Sequence, residues 1–156
     1  MDKDDFQAVV AAPGFSLGVR CDDDEIIAID FLEPRAAVAP KTLLAKEAVR
    51  QLNAYLKDSS FRFSLPLAPA GTHFQRRVWQ QIAAIPAGET RSYGDLAMAI
   101  GSGPRAVGGA CGSNPYPIVV PCHRVIAASG SLGGFGRVGG DFYLGVKCWL
   151  LAHERA

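Results

Sequence analysis

The residues of this chain that could do chemistry are concentrated at positions 121–125, which read Pro-Cys-His-Arg-Val. Three prolines, Pro115, Pro117 and Pro121, fall within seven residues. Proline fixes φ and pushes the residue before it toward an extended conformation, so this segment should be rigid. A rigid segment can aim one sulfur atom, which makes Cys122, beside an imidazole, a candidate nucleophile. The alternative is that Cys122 is a small buried hydrophobic residue, as most free cysteines are.

Three further cysteines are scattered along the chain: Cys21, Cys111 and Cys148. They form no C-x-x-C pair, and the three histidines complete no zinc pattern with them, so no metal or other cofactor is expected. The acidic amino terminus lacks the apolar core of a signal peptide, and no run approaches the roughly 20 apolar residues of a membrane span. We therefore expect a cytoplasmic protein (nuclear in a eukaryote) with reduced thiols and no membrane association.

Charge is distributed unevenly between the two parts of the chain. Residues 1–66 contain 8 Lys and Arg against 11 Asp and Glu, whereas residues 67–156 contain 8 against 4. The difference is −3 for the first part and +4 for the second, which gives the net +1 of the whole chain. A basic second part favours a polyanionic partner, although many solvated surfaces carry as much charge.

The first part is predicted to be a small α+β unit. Short β-branched or alternating runs at 16–20 and 25–31 predict a hairpin. Thr42 then opens a helical repeat whose apolar positions are Ala45, Val49, Leu52 and Leu56. Proline and glycine interrupt both periodicities at 63–71, which predicts a linker between a domain at 1–66 and a second at 67–156.

The second part is predicted to be mostly helical. Thr72 and Gln75 form a capping box before a helix that should end at Pro86. Its expected core positions are Phe74, Val78, Ile82 and Ile85. The final helix should place Val146, Trp149 and Leu150 in the core. The glycine-rich residues 133–140 lack the spacing of a phosphate-binding P-loop, so a lid or pocket wall is expected there.

Two short helices in this part predict a helix-turn-helix. Ser92 and Asp95 form a second cap, the first of these helices should end at Gly101, and Pro104 suits the first turn of the next. The second helix carries small residues where a major-groove reader would present long polar side chains: Ala106, Gly108 and Gly109. It therefore favours a close, largely sequence-independent grip on a narrow groove. The alternative is tight packing of the glycines inside the domain.

Five segments, taken in order, resemble the O6-alkylguanine-DNA alkyltransferases. They are residues 72–93, 105–108, 114–115, 121–125 and 147–151. The resemblance covers about residues 66–155 and is specific in order and spacing. It implies a carboxyl-terminal domain with a winged-helix-like helix-turn-helix. The amino-terminal part resembles the ribonuclease-H-like domain of that family in outline.

The resemblance implies repair of duplex DNA carrying O6-alkylguanine, by irreversible transfer of the alkyl group to Cys122. Each molecule would react once, because the thioether product is a poor leaving group. His123 is the implied base. We expect it to act through a water molecule, because adjacent side chains of an extended strand point to opposite faces. Glu154 would orient the imidazole, whereas without the resemblance it reads as a solvated helix end.

Further residues receive roles from the same resemblance. Tyr93 would protonate the departing guanine and contact DNA, and Arg105 would fill the base stack when the nucleotide is flipped out. Asn114 would bond the backbone around the cysteine turn, and Ala106, Gly108 and Gly109 would face the DNA. The implied substrate pocket is lined by Pro117, Val125, Phe135 and Gly136, with the carbonyl groups of Cys122 and Val125 accepting from the guanine amino group.

Two other functions compete with this interpretation. A non-catalytic, alkyltransferase-like lesion-binding protein would lack the nucleophile that Cys122 supplies. A thiol hydrolase using Cys122 and His123 would have no use for a helix-turn-helix. The expected protein is therefore a monomeric DNA-repair alkyltransferase that needs no cofactor.

Overall fold

The computed structural model describes residues 5–129 and 140–155. It divides into two compact units, Met1–Pro69 and Ala70–Ala156. The domains expected at 1–66 and 67–156 stay a prediction, although their boundary lies close to this division. The predicted α+β class is confirmed, with a three-stranded antiparallel sheet and five α-helices among the described residues.

The sheet of the first unit has the strand order β1-β2-β3. Its strands are β1 (Ala8–Ala12), β2 (Phe15–Cys21) and β3 (Ile26–Leu32). The predicted hairpin is β2–β3, with Leu17 opposite Phe31. Strand β1 was not predicted, because three of its five residues are alanine, which has a weak strand preference. Gly14, in the two-residue connection to β2, has φ of 84°, a conformation that glycine adopts without steric cost.

Helix α1 (Leu43–Lys57) begins at the predicted cap, where Thr42 Oγ1 accepts from the Ala45 amide at 3.2 Å. Its buried residues are Ala45, Ala48, Gln51, Leu52 and Tyr55. The predicted core positions Val49 and Leu56 are only half-buried. Gln51 is buried because Ser64 satisfies its amide: the Ser64 N–H donates to Oε1 at 2.9 Å. Apolar periodicity therefore predicted the position of α1 correctly but assigned part of the wrong helix face to the core.

The second unit contains four α-helices among its described residues. They are α2 (His73–Ala83), α3 (Tyr93–Ile100), α4 (Pro104–Gly112) and α5 (Asp141–Arg155). Both predicted capping boxes are present, Thr72 with Gln75 and Ser92 with Asp95. Helix α2 ends at Ala83, earlier than expected, but Ile85 is still buried. None of these helices, nor α1, is long and apolar enough to cross a membrane, a finding that covers residues 5–129 and 140–155.

Two aromatic residues differ from their predicted positions. The predicted core residue Phe74 is only half-buried, and Trp79 is buried instead. The indole N–H of Trp79 donates to the Ala110 carbonyl of α4 at 2.9 Å, which satisfies it inside the core. Trp149 is also half-buried and stacks on His153, with ring centroids 4.8 Å apart. The core face of α5 instead includes Lys147, a residue that apolar periodicity excludes.

Short-range geometry holds α3 and α4 close together. Gly101 ends α3 in the left-handed region, with φ of 71°, and the Ser102 amide donates back to the Ala97 carbonyl at 2.8 Å. This is the Schellman arrangement that closes a helix end. Pro104 then begins α4, as predicted, where its missing N–H costs nothing. Three residues thus connect the two helices.

A two-stranded parallel pair, which was not predicted, links distant parts of this unit. Strand β4 (Arg91–Ser92) pairs with β5 (Val125–Ile126), with Arg91 opposite Val125. Because α3 begins directly after β4, and a 3-10 turn (Cys122–Arg124) directly precedes β5, the pair brings Tyr93 beside the cysteine turn.

Candidate active site

A strained turn leads into the candidate nucleophile. The Val120 amide donates to the Tyr116 carbonyl at 2.8 Å, and Ile118 between them has φ of 74°. A β-branched residue in this region costs on the order of 1–3 kcal/mol, so the surrounding structure must impose it. Asn114 stabilises this conformation from inside the turn. Its Oδ1 accepts from the Tyr116 amide at 2.9 Å, and its Nδ2 donates to the Val120 carbonyl at 2.8 Å.

Pro121 directs Cys122 into a tight turn. With φ of −82°, ψ of 67° and a Cys122 N–H bond to the Val120 carbonyl at 2.8 Å, Pro121 is the centre of an inverse γ-turn. Cys122 itself begins the 3-10 turn, so the expected extended strand at this position is wrong. The argument that Cys122 and His123 point to opposite faces of a strand therefore no longer applies.

The sulfur of Cys122 is buried and hydrogen-bonded. Cys122 is 2% exposed, and Nδ2 of Asn114 donates to its Sγ at 3.2 Å. Asn114 therefore contacts both the backbone of the turn and the sulfur. A donor at this distance favours the thiolate over the thiol.

His123 lies against a carboxylate that an arginine holds in place. Its Nε2 is 2.7 Å from Glu154 Oε2, and both side chains are 1% exposed. Arg124 donates to the same carboxylate through Nε at 2.8 Å and Nη2 at 2.9 Å, and to the Ile85 carbonyl through Nη1 at 2.6 Å. Glu154 is thus paired on both sides, as a buried charge must be, and is not a solvated helix end.

The second ring nitrogen of His123 has no hydrogen-bond partner among the described residues. The carboxylate beside Nε2 favours the tautomer with its proton on that nitrogen, so Nδ1 carries a lone pair. Burial lowers the pKa of His123 below its ordinary value, although Glu154 acts in the opposite direction. The ring is consequently a neutral imidazole with a basic atom available.

Cys111, near the end of α4, is the neighbour that most affects the ionisation of Cys122. Cys111, followed by burial, raises the pKa of Cys122 well above its ordinary value, while Asn114 and Lys147 act against the rise. Cys122 in turn lowers the pKa of Cys111, and Lys147 adds to that effect. Of the two thiols, Cys122 therefore holds its proton more tightly in the resting protein.

Lys147 of α5 brings a buried ammonium group to the same place. It is 0% exposed, its Nζ donates to the Val125 carbonyl at 2.7 Å, and Nζ lies 6.0 Å from the centroid of the Tyr93 ring. Burial lowers the pKa of Lys147 to about 8, and Cys111 and Cys122 act in the opposite direction. Lys147 is thus still mostly protonated at neutral pH and favours thiolates nearby.

Tyr93 stands at the start of α3 and is half-buried. Burial, with smaller contributions from Cys111 and Cys122, raises the pKa of its phenol to about 12. At neutral pH the phenol therefore keeps its proton and can donate it.

The exposed face of α4 carries the small residues that the sequence singled out. Arg105 and Ala106 are exposed in its first turn, and Gly108 and Gly109 are half-buried. A methyl group added at Gly108 would meet Tyr93 Cε1 at 4.0 Å, which is ordinary contact. Packing against the described residues therefore does not require glycine at 108, which argues against the packing alternative for that position.

The remaining predicted pocket residues are only partly within the described structure. Pro117 is half-buried, and Val125 is fully buried with its carbonyl bonded to Lys147. The Cys122 carbonyl accepts from the Val125 amide, so both carbonyls already have one partner. Phe135 and Gly136 lie outside the described residues. Within 5–129 and 140–155, His, Cys, Asp and Glu side chains form no cluster that could hold a metal ion.

Sequence reasoning missed three members of this site: Arg124, Cys111 and Lys147. Lys147 had a signal, because it and Glu154 are seven residues apart on a helix whose other buried residues are apolar. A charged residue in such a row is buried only when it is paired, so the pattern indicates polar partners. Neither Arg124 nor Cys111 had a comparable local signal.

The sequence of this chain matches a known protein family. The family model described as 6-O-methylguanine DNA methyltransferase, DNA binding domain, matches residues 73–156. A methylated-DNA–protein-cysteine methyltransferase of Mycolicibacterium paratuberculosis is 54% identical over 69% of this chain. The match covers 64% of that relative, less than two thirds of its length. A probable methyltransferase of the same name from Acanthamoeba polyphaga mimivirus is 42% identical over 84% of this chain and 83% of its own.

Solved structures agree with these relatives. The Mycobacterium tuberculosis protein OGT, crystallised in complex with DNA, has a TM-score of 0.80 and 40% identity, and the match covers 94% of this chain and 91% of that one. The family model alone spans more than half of the 156 residues. This chain belongs to the 6-O-methylguanine DNA methyltransferase family.

Proposed function

We propose that this protein repairs duplex DNA by transferring the alkyl group of O6-alkylguanine to the sulfur of Cys122, irreversibly and once per molecule. The observation that carries the proposal is the buried Cys122 sulfur, which receives a hydrogen bond from Asn114 in a turn shared with His123 and its partner Glu154. The names of the relatives describe the same transfer from methylated DNA to a protein cysteine.

The first step is removal of the Cys122 proton. Nδ1 of His123 is buried, basic and without a partner among the described residues, so a water molecule between it and Sγ would carry the proton to the ring. The resulting imidazolium is stabilised by Glu154 at 2.7 Å, and Arg124 keeps that carboxylate in position. Asn114 and Lys147 favour the thiolate left behind.

The second step is an SN2 displacement at the alkyl carbon. A bond forms between Sγ and the carbon as the bond from that carbon to guanine O6 breaks, and the electron pair passes to the base. Tyr93 donates a proton to the departing guanine, and its phenol still carries this proton at neutral pH because burial raises its pKa to about 12. The thioether product has no good leaving group, so the protein is consumed. No cofactor takes part in this scheme.

DNA binding is assigned to α3, its three-residue turn and α4, acting as a helix-turn-helix of winged-helix type. The exposed Arg105 would fill the stack that the flipped nucleotide leaves, while Ala106, Gly108 and Gly109 allow close approach to the minor groove. We expect few phosphates to be neutralised, because residues 67–156 have a net charge of only +4, so log affinity should fall with log salt at a shallow slope, about −0.9 per phosphate.

The remaining assignments follow the family. The first unit would be the ribonuclease-H-like domain, which the antiparallel order β1-β2-β3 and helix α1 support. Pro117, Val125, Phe135 and Gly136 would line the alkyl pocket. We propose a monomer that works on DNA in the cytoplasm.

The test is transfer of a radiolabelled methyl group from O6-methylguanine in duplex DNA. One equivalent of label should reach the protein, and peptide mapping should locate it on Cys122. Tight binding of methylated DNA without transfer would favour the lesion-binding alternative instead. Label on another residue, or release of methanol over many turnovers, would contradict the proposal.

A further inference from the structure

Arg124 shares the carboxylate of Glu154 with the imidazole of His123. We propose that the positive charge of Arg124 keeps His123 neutral in the resting protein, so that the ring is ready to take the proton of Cys122 at neutral pH. Arg124 is then a positioning residue, which acts on the reaction through Glu154. The inference deepens the proposed function, because it rests on His123 as the base of alkyl transfer.

The guanidinium group of Arg124 is held by three hydrogen bonds. Nε donates to Glu154 Oε1 at 2.8 Å and Nη2 donates to Oε2 at 2.9 Å, a bidentate pair that uses both carboxylate oxygens. Nη1 donates to the Ile85 carbonyl at 2.6 Å, which fixes the third nitrogen as well. Because Oε2 also lies 2.7 Å from Nε2 of His123, the guanidinium and the imidazole interact with the same oxygen atom.

The three side chains balance their charges without a proton on the ring. Arg124 is 11% exposed and both Glu154 and His123 are 1% exposed, so water screens these charges poorly. Arginine remains protonated in proteins, and Glu154 is the counterion of Arg124. A proton on His123 would therefore leave this buried group with one uncompensated positive charge, which is costly. Without Arg124 the carboxylate would lose its cationic partner, and the ring would replace that partner by taking a proton.

Two cations and one anion affect the pKa of His123. Burial lowers this pKa most, Glu154 raises it, and Arg124 and Lys147 lower it. Glu154 and Lys147 both belong to α5, whereas Arg124 belongs to the same 3-10 turn as His123. Helix α2 also contacts this turn, but its arginine and histidine side chains are exposed and screened by water. Arg124 is thus the cation that acts on the ring most directly, through the oxygen atom that the two share.

A neutral ring matters because a base must be unprotonated before it can act. Glu154 still stabilises the imidazolium that forms as the proton arrives, so His123 can take a proton from Cys122 without holding one at rest. Below the pKa of the ring, the neutral fraction and the rate of transfer fall about tenfold per pH unit. By lowering that pKa, Arg124 extends alkyl transfer to lower pH.

The first experiment compares the pH dependence of transfer in Arg124→Met and in the wild type. Single-turnover rates are measured from pH 5 to 9 with labelled O6-methylguanine in saturating duplex DNA. The acidic limb of the profile should move to higher pH in the variant. Its rate relative to the wild type should therefore be lowest at low pH and rise with pH, by up to about tenfold for each unit that the limb moves.

Two further variants separate charge from geometry. Arg124→Lys keeps the positive charge and should keep the position of the acidic limb, although loss of the bidentate pair should lower the rate at every pH. Arg155→Met is the matched control, because it removes an exposed arginine charge directly after Glu154 in the sequence. Its pH profile should be that of the wild type.

The second experiment observes the ring itself. The nitrogen and carbon chemical shifts of histidine distinguish the neutral ring from the protonated one, and the signals of His123 are those absent from His123→Asn. A Cys122→Ala background removes the thiol with which the ring would share a proton. His123 should be neutral at pH 7 in this background. Adding Arg124→Met should raise the pH at which the ring becomes protonated, whereas adding Arg155→Met should not.

Each outcome decides the role of Arg124. A protonated His123 at pH 7 in the Cys122→Ala protein would overturn the inference. So would an unchanged titration in the Arg124→Met variant, or a rate that falls by the same factor at every pH, because Arg124 would then be only a structural support. Should Arg124→Met not fold, Arg124→Gln, which removes the charge and keeps an amide donor, takes its place. If the wild type never accepts an alkyl group, the proposed function fails, while the titration of His123 still decides this inference.

Discussion

The two units of this molecule bury different kinds of side chain. In residues 5–69 the buried polar side chains are Ser16 and Gln51, both neutral, and no charged residue is buried. In the described residues from 70 onward they are His123, Lys147 and Glu154. Buried thiols occur in both units, Cys21 in the first and Cys111 and Cys122 in the second. Buried ionisable groups cost several kcal/mol of desolvation unless they are paired. The first unit therefore avoids this desolvation cost, whereas the second bears it at the residues to which the proposed alkyl transfer is assigned.

The largest expected effect comes from removing the sulfur. Cys122→Ala should abolish alkyl transfer and keep DNA binding, because the sulfur is needed for bond formation and not for docking. Labelled methyl transfer and a gel-shift titration measure the two properties. Cys148→Ala, which changes an exposed thiol, and Cys21→Ala, in the first unit, should keep transfer. Any transfer by Cys122→Ala would show that the nucleophile is another residue.

The next largest effect is expected when the buried ion pair is broken. Glu154→Ala leaves Arg124 and His123 without their shared carboxylate, so it should lower the free energy of unfolding by about 3–5 kcal/mol and suppress transfer. The matched change in the first unit is Arg50→Ala, which removes an exposed pair with Glu47 and should have little effect on unfolding. Urea denaturation measures both. Equal losses in the two variants would remove the energetic contrast between the units.

A smaller and selective effect is expected on the exposed face of α4. Arg105→Ala should slow repair of alkylguanine in duplex DNA much more than reaction with the free modified base, because only the duplex requires a flipped nucleotide. Single-turnover rates on the two substrates measure this selectivity. Proportional losses on both would make Arg105 a residue of the pocket or of the fold, not of base flipping.

The mildest effect is a pH dependence that Lys147 should impose on stability. Its pKa falls from 10.5 to about 8 on folding, so between these values the unfolded chain binds the proton and the native protein does not. The contribution of Lys147 to the free energy of unfolding should therefore rise as pH increases from about 8 to 10.5. Cys111 and Cys122 interact electrostatically with the ammonium group and act against this fall in pKa.

The measurement must separate Lys147 from those two thiols, whose pKa values it also influences. Urea denaturation across pH 7–11 is therefore compared between Cys111→Ala/Cys122→Ala and the same protein with Lys147→Met added, so that neither thiol contributes to the difference. Stability of the protein that keeps Lys147, relative to the one that lacks it, should increase over this window. A flat difference would mean that Lys147 keeps its ordinary pKa in the folded protein.

Local structure could be predicted well because its causes lie within a few residues. The caps at Thr42, Thr72 and Ser92 each close a hydrogen bond between residues three apart, and each was found where expected. Gly101 likewise ends α3 through its own conformational freedom. Core faces were less predictable, since α1 buries Gln51 through a bond to Ser64, thirteen residues away.

The same difference between local and long-range causes applies to the candidate site. The motif around Cys122, the helix that carries Arg105 and the family resemblance are properties of contiguous residues, and the sequence by itself determined them. Tertiary structure alone decided that Arg124 binds the Glu154 carboxylate from 30 residues away and that Lys147 reaches the Val125 carbonyl. It also decided that Pro121 closes a γ-turn where an extended strand was expected. The physical reason is that burial, pairing of charges and pKa shifts depend on which distant groups share one desolvated space, and no local pattern specifies that.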